Sequence, residues 1–448
     1  MKMLKNLPLL LFFALTVGMV SCKKDTEVPP VTANPNPAKN NDLILSQNNW
    51  GGSGLINSIH QAQQLDDAFY CIGYSGLPNS TSNTGRFMKI NQNGSEIWNI
   101  PLGMQVKAMS EPLIFSGTSQ VNKSFVLVGG IDKDGDGVSD ECRVQLRSAD
   151  GVLIVEDTIS EPGYQLSLTA VNANSIPSPT TFNSQYFEAV GFATNAAGTS
   201  FPCLRTFTVT GEGKLFINNV SKIVRTDYPG SRFSSVAWNN GYLYLIMNNQ
   251  NNFTVLSYKQ EIESGLEHHT SVYTFNWNTI VAALNGLATK TNNRKSMIAD
   301  ETGVYVAGNV ETWDTPAPDN GGKWSAGLVL RLDLSTGAIA WKTNINLSNY
   351  GDFLNGIFFE NVPNGNIFVV GSHSGVYYSS TGKEFSNGLL CRINRTSGDL
   401  INSYTFGDPS TSSSINCGIS TGNSLYMFGF TNYTRNSEDD YWQLTINK

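Results

Sequence analysis

The densest concentration of chemistry in the sequence is Asp132-Lys133-Asp134-Gly135-Asp136-Gly137-Val138-Ser139-Asp140-Glu141. Carboxylates at alternate positions, with a glycine at the sixth, let a tight loop point several hard oxygens at one centre. Calcium takes about six to eight such ligands. Calcium activates water poorly and no base stands nearby, so the loop reads as a structural ion site and not a catalytic one. Other chemistry is sparse. The histidines, His60, His268, His269 and His373, are too few and scattered for a histidine-rich zinc site. There is no Gly-x-Ser-x-Gly elbow, no His-Glu-x-x-His and no phosphate-binding glycine loop, so no catalytic residue is assigned.

The carboxylate spacing resembles the Asp-x-Asp-x-Asp-Gly-x-x-Asp calcium loop, which also occurs in hairpin loops of propellers. By that resemblance Asp132, Asp134, Asp136 and Asp140 ligate through side chains and Val138 through its carbonyl. The twelfth position holds Arg143 where the helix-loop-helix version has a bidentate glutamate, a gap left to Glu141 or water.

A second group of candidates is aromatic. Trp313 and Trp324 flank one variable loop, and Tyr377, Tyr378 and Phe385 another, with Tyr433 in a third. Aromatics on adjacent exposed loops would make a stacking platform for sugar rings or a peptide; the plainer alternative is local cover over the loop bases.

The start of the chain reads as an address. Lys2 and Lys5 precede the apolar run Leu7–Val20, a basic n-region and an h-region of signal-peptide length, too short for a stable membrane span. Met19-Val20-Ser21-Cys22 resembles the lipobox of bacterial lipoproteins, which implies cleavage before Cys22 and acylation of Cys22, with palmitate among the acyl chains. Several chains on one residue hold a protein at a membrane. Lys23-Lys24-Asp25-Thr26-Glu27 resembles the charged stretch of Gram-negative lipoproteins displayed at the cell surface. Residues 1–21 are thus expected to be a signal peptide, and residues 22–41, rich in Pro, Asn and Ala, an extended tether.

Without the first 21 residues, 27 Lys and Arg face 36 Asp and Glu, a net charge of -9. No basic cluster exceeds Lys23-Lys24, which argues against a nucleic-acid partner. With 11% aromatic and only 15% charged residues, the rest of the chain is expected to fold. Of the cysteines 22, 71, 142, 203, 391 and 417, five remain once Cys22 is acylated, and these are expected to be buried small hydrophobes.

What must position these groups is set by an internal repeat. An apolar strand recurs as Phe69–Gly73, Phe125–Gly129, Phe187–Gly191, Leu243–Met247, Val304–Gly308, Ile367–Gly371 and Leu425–Gly429, at steps of 56 to 63 residues. Each copy is followed by a polar loop, an alternating strand, a tight glycine turn and a last strand that often holds Trp. Four short strands repeated seven times predict an all-β, seven-bladed β-propeller of four-stranded antiparallel blades over residues 42–448. The seventh unit stops after its third strand, while an orphan strand, 43–50, precedes the first. Strand 43–50 is therefore predicted to pair with 441–447 and close the ring.

Leu332–Trp341 resembles the pyrroloquinoline-quinone-type propeller repeat, and Trp50-Gly51-Gly52 with Phe87–Trp98 resembles bacterial surface propeller repeats of about sixty residues. No adjacent cysteine pair is present, so quinone binding is not carried over. Together these features imply a lipid-anchored lipoprotein of a Gram-negative outer membrane, surface-exposed or facing the periplasm. It is expected to act as a non-catalytic binding or scaffold propeller for a protein or glycan. The alternative is a carbohydrate-active enzyme, a hydrolase or lyase, whose acids converge at the propeller axis.

Overall fold

The computed structural model describes residues 38–448 apart from 40–42, 52–54, 78–82, 114, 116–122, 134–138, 175–183, 250–251, 264–265, 277–285, 291–295, 313–323, 348–350, 379–382, 408–410 and 434–439. Seven antiparallel sheets follow one another along the chain: blade 1 over 56–101, blade 2 over 105–159, blade 3 over 164–224, blade 4 over 232–276, blade 5 over 286–345, blade 6 over 352–406 and blade 7 over 412–447. The first strand of each blade faces the axis and the fourth lies at the rim. In blade 5 the first strand is split, and Gly286–Lys290 and Met297–Asp300 both pair with Gly303–Thr312. Blade 7 takes its rim strand from the other end of the chain. Ile44–Trp50 runs antiparallel to Asp440–Asn447, with Ile44 opposite Ile446 and Trp50 opposite Tyr441, as predicted. A short segment, Ala38–Lys39, adds in parallel to the rim strand of blade 6.

The core is divided among the blade interfaces. Seven apolar clusters are found among the described residues, one for each pair of neighbouring blades. The middle strands are apolar on both faces because both faces are covered, as in Phe125-Val126-Leu127-Val128, every side chain of which is buried. The cluster joining blades 7 and 1 contains Trp50, Tyr441, Phe428, Phe69 and Ile59, so the borrowed strand seals an interface like the others. Cys71, Cys142, Cys203, Cys391 and Cys417 are free thiols inside these clusters. Burial pushes the Cys142 and Cys203 thiols up to about 12, so they stay neutral and act as small hydrophobes.

The recurrent glycine of the second strand has a steric cause. Gly73, Gly129, Gly191, Gly371 and Gly429 each stand opposite the last regular residue before a bulge in the axial strand. A Cβ on any of them would lie 1.8–2.4 Å from a carbonyl oxygen of that strand. Met247 occupies the same place in blade 4, opposite Phe233, and the bulge is kept there. The bulges fall at His60, Lys107, Thr169, Ser234, Asn355 and Asn416, all polar. The extra residue turns its side chain out of the ladder. Thr169 Oγ1 donates to the Phe233 carbonyl of the next blade at 2.9 Å. Asn355 Nδ2 donates to Ser414 Oγ at 2.8 Å, and Asn416 Nδ2 to the Ile59 carbonyl at 2.7 Å. The last bond crosses the closure.

The glycines of the tight turns interlock the rim. Gly151 (φ 81°) abuts Ile100 and Trp98 of the preceding blade, Gly337 (φ 68°) abuts Tyr273, and Gly398 (φ 81°) abuts Trp341. At the closure the same place is taken by Asn48 over Gly94, and Asn48 Nδ2 donates to the Asn93 carbonyl at 3.0 Å. The positive φ and the missing side chain are thus both used.

Gly371→Ala is expected to lower the unfolding free energy by about 1–3 kcal/mol, since its Cβ must displace the Phe353 carbonyl. Denaturant unfolding checks this, and an unchanged midpoint would show that the bulge yields freely.

Candidate functional site at the axial mouth

Strand direction assigns the two faces of the ring. The turns from first to second strand and from third to fourth lie on one face; the loops from second to third strand and between blades lie on the other. A cavity of about 800 Å³ opens at the axis on the first of these faces. It is built where the axial strands end: Ala62–Gln64 in blade 1, Glu111 in blade 2, Asp300–Glu301 in blade 5, Phe358–Asn364 in blade 6 and Gly418–Ser420 in blade 7. A narrower space of about 220 Å³ continues it along the axis, walled by Val171, Val236, Trp238 and Met297 among others. Gln63, Glu111 and Phe359 line both spaces and mark their junction.

The mouth is rich in carboxylates, and most are braced. The Asp300 carboxylate pairs with the Arg395 guanidinium, which also reaches Glu301 at 3.3 Å. Asp300 Oδ1 further accepts the Thr302 N–H and hydroxyl, both at 2.7 Å, which folds the turn of blade 5. Arg395 is itself held: its carbonyl accepts the Trp341 indole N–H at 3.1 Å, and its guanidinium lies 5.2 Å from the Phe359 ring centroid. Glu360 accepts the Asn366 N–H at 2.9 Å and Arg392 at 3.0 Å. Burial pushes the Glu360 carboxyl up, but the bonds from Asn366 and Arg392 outweigh it and hold the group below the usual carboxylate range. An acid held ionised in this way accepts hydrogen bonds and attracts cations; it does not hold a proton to donate at neutral pH. Glu111 differs. It is exposed, and among the described residues no hydrogen bond or ion pair reaches its carboxylate.

The residues singled out from the sequence lie elsewhere. Asp134, Asp136 and Val138 fall outside the described residues, as do Cys22 and Trp313. Of the proposed calcium ligands, Asp132 and Asp140 are described, at the two feet of the loop. Asp140 closes it: its N–H donates to the Ile131 carbonyl at 2.8 Å and its carboxylate accepts the Lys133 N–H at 2.7 Å. Glu141 is bound to Lys133, Thr158 and Arg143, which hold its carboxyl below the ordinary range. Among the described residues no group of three or more His, Cys, Asp or Glu is placed to hold a metal ion. Trp324 pairs with Thr312 at the far end of the blade 5 hairpin, and Tyr377 and Tyr378 end the second strand of blade 6. The strand Gly303–Thr312 therefore separates the backbone of Trp324 from Asp300 and Glu301 by its whole length, roughly 30 Å, so the strand ends that hold Trp324, Tyr377 and Tyr378 and the axial acids are at opposite ends of their blades.

The mouth was not read from the sequence. Its groups come from five blades, and the partners Asp300 and Arg395 are 95 positions apart. The signal that existed was a polar residue at or close to the end of the axial strand in four blades, Gln63, Glu111, Asp300 and Glu360, visible only once the first strands are aligned.

No family model matches this sequence, and no curated protein matches it either. Among solved structures the chain is similar to a polysaccharide lyase, with 9% identity over 87% of this chain and 89% of that one and a TM-score of 0.49. It is similar also to the WD40 domain of coronin from Toxoplasma gondii (10% identity, 92% and 88% covered, TM-score 0.45). A third is a prolyl endopeptidase, matched at 11% identity over 88% of this chain and 50% of that one, with a TM-score of 0.44. The blade count and the closure stand on the strand pairing described above.

Proposed function

We propose that this chain is a lipid-anchored binding propeller that takes a polar ligand into its axial mouth without transforming it. The observation that carries the reading is the cavity of about 800 Å³ whose carboxylates Asp300, Glu301 and Glu360 are each braced by an arginine. Bracing orients them as acceptors, which suits recognition. The carbohydrate-active alternative needs one acid that keeps its proton beside another that does not. The low-lying Glu360 carboxyl supports binding over that division of labour.

The test is a thermal-shift screen of sugars, amino acids, polyamines and short peptides against the soluble propeller, repeated on Asn361→Trp. Asn361 is exposed in the mouth, and an indole there fills it. Ligands that raise the midpoint of the parent and not of the variant support the reading. Hits insensitive to the variant, or turnover of a hit, overturn it.

The anchor rests on the Ser21-Cys22 junction that follows the apolar run. Cys22→Ala is expected to move the protein from the membrane fraction to the soluble one and to remove the acyl mass from its N-terminal peptide. Membrane retention by the variant would defeat this reading and, with it, placement at the outer membrane.

The calcium loop rests on the alternating carboxylates of 132–140, whose feet are already closed by Asp140. Calorimetric titration with calcium is expected to show one site that is lost in Asp134→Asn/Asp136→Asn. No heat and no thermal shift at millimolar calcium would dispose of it.

A further inference from the structure

Four successive blades each give one hydrogen-bonding side chain to the lining of the narrow space below the mouth. Gln63 comes from the axial strand Ile56–Leu65 of blade 1, and Glu111 follows the axial strand Gln105–Met109 of blade 2. Asn172 comes from Tyr164–Asn174 in blade 3 and Trp238 from Arg232–Asn239 in blade 4. What sets these four apart is that their polar atoms are unused. Gln61, two residues before Gln63, shows the ordinary outcome. Its Nε2 donates to the Met109 carbonyl at 2.6 Å and its Oε1 accepts the Met109 N–H at 3.0 Å. Among the described residues no hydrogen bond is made by the side chains of Gln63, Glu111, Asn172 or Trp238. Gln63 Nε2 is shut off from solvent as well. A donor left in that state destabilises the fold until an acceptor reaches it. The amide torsion χ3 is soft, so a rotation turns either amide atom toward the space.

The chemistry of these groups specifies a ligand. Gln63 Nε2, Asn172 Nδ2 and Trp238 Nε1 donate, while the Glu111 carboxylate and the two amide oxygens accept. A complementary ligand must accept and donate within a space of about 220 Å³. A hydroxyl does both from one atom, and vicinal hydroxyls on a carbon ring repeat this at short spacing. The C–H groups of such a ring have Phe359 and Met297 to pack against. Charge points the same way. Arg395 is bound to Asp300 and Glu301, and Arg392 and Lys448 both act on Glu360, so three cations stand against the four acids of the mouth. A neutral ligand leaves that near-balance undisturbed, whereas an anion meets Glu111 uncompensated.

Resting on the binding reading above, we infer that the narrow axial space recognises a neutral polyhydroxylated ring, a sugar or a cyclitol, held by Gln63, Glu111, Asn172 and Trp238. The ring is either a free small molecule or the terminal residue of a glycan whose next residues occupy the wider mouth.

The experiment is calorimetric titration of the soluble propeller with glucose, N-acetylglucosamine, galactose and myo-inositol, and with the trisaccharides maltotriose and chitotriose, at low and at high salt. Parent protein, Asn172→Leu, Trp238→Phe and Asn402→Ala are compared. Asn402 lies exposed on the rim strand of blade 6 and controls for changes away from the axis. At least one probe is expected to bind the parent, at least fivefold more weakly to Asn172→Leu and to Trp238→Phe, and unchanged to Asn402→Ala, with no dependence on salt. Tighter binding of a monosaccharide than of its trimer points to a free ring, and the reverse to a glycan end. No heat with any probe, equal affinity across the four proteins, or affinity that falls steeply with salt overturns the inference. If other compounds of the thermal-shift screen protect the parent and not Asn361→Trp while these probes give no heat, the polyol inference fails and the binding mouth stands. If nothing discriminates parent from Asn361→Trp, both fail. Equal unfolding midpoints verify that a loss of binding is not a loss of fold. Where a variant lowers the midpoint, Glu111→Gln, at an exposed position, gives the same test.

Discussion

The whole ring depends on how the axial strands meet. Seven sheets wedged around an axis bring seven strands close together at the centre, where regular pairing has no room to continue. The bulge is the solution. One extra residue in the axial strand kinks it, and its polar side chain reaches the neighbouring blade, as Thr169, Asn355 and Asn416 do. The same kink drives a carbonyl against the second strand, so that only a glycine fits opposite it in most blades. A backbone group left unpaired in so buried a place would cost about 1–3 kcal/mol. Packing, polar satisfaction and sequence repeat thus have one cause.

That cause explains what was legible in the sequence. The glycine at this place in the second strand of most blades is a footprint of the bulge, and counting the apolar strands that carry it, with Met247 standing in its place in blade 4, counted the blades. Closure was legible for a different reason: a strand without a sheet at one end and a sheet without a strand at the other have one mutual solution. Neither signal reaches the axial mouth. Glu111, Asp300, Glu360 and Arg395 lie in the ends of first strands and in turns, where each blade differs from the rest. Their meeting is a product of ring closure, and no local pattern encodes contacts 95 positions apart. Trp324, Tyr377 and Tyr378, by contrast, are conspicuous in polar surroundings, and their strands carry them to the end of the blade opposite the mouth.

The mouth also shows how a site is kept rigid at the end of a flexible element. Turns are the least constrained part of a sheet. Here the blade 5 turn is fixed by Asp300 accepting from Thr302, and it is tied to blade 6 through Arg395. Arg395 is fixed in turn by Trp341, whose ring also seats against Gly398. The rim interlock and the axial ion pairs are therefore one continuous structure. An acid placed this way keeps its direction whether or not a ligand is present, which lowers the ordering cost of binding.

Geometry then divides the molecule's labour by face. Ile44 pairs with Ile446, so the closing strand enters blade 7 at the rim, beside the mouth face, and climbs toward the loops. Ala38–Lys39 lies along the rim of blade 6 just before it. The two described segments that precede blade 1, Ala38–Lys39 and Ile44–Trp50, thus both lie at the circumference, away from the axial mouth. Paired at the rim, the strand Ile44–Trp50 seals the ring through Trp50 and Asn48 and leaves the axis free, so the requirement for closure and the requirement for access are met by the same seven residues.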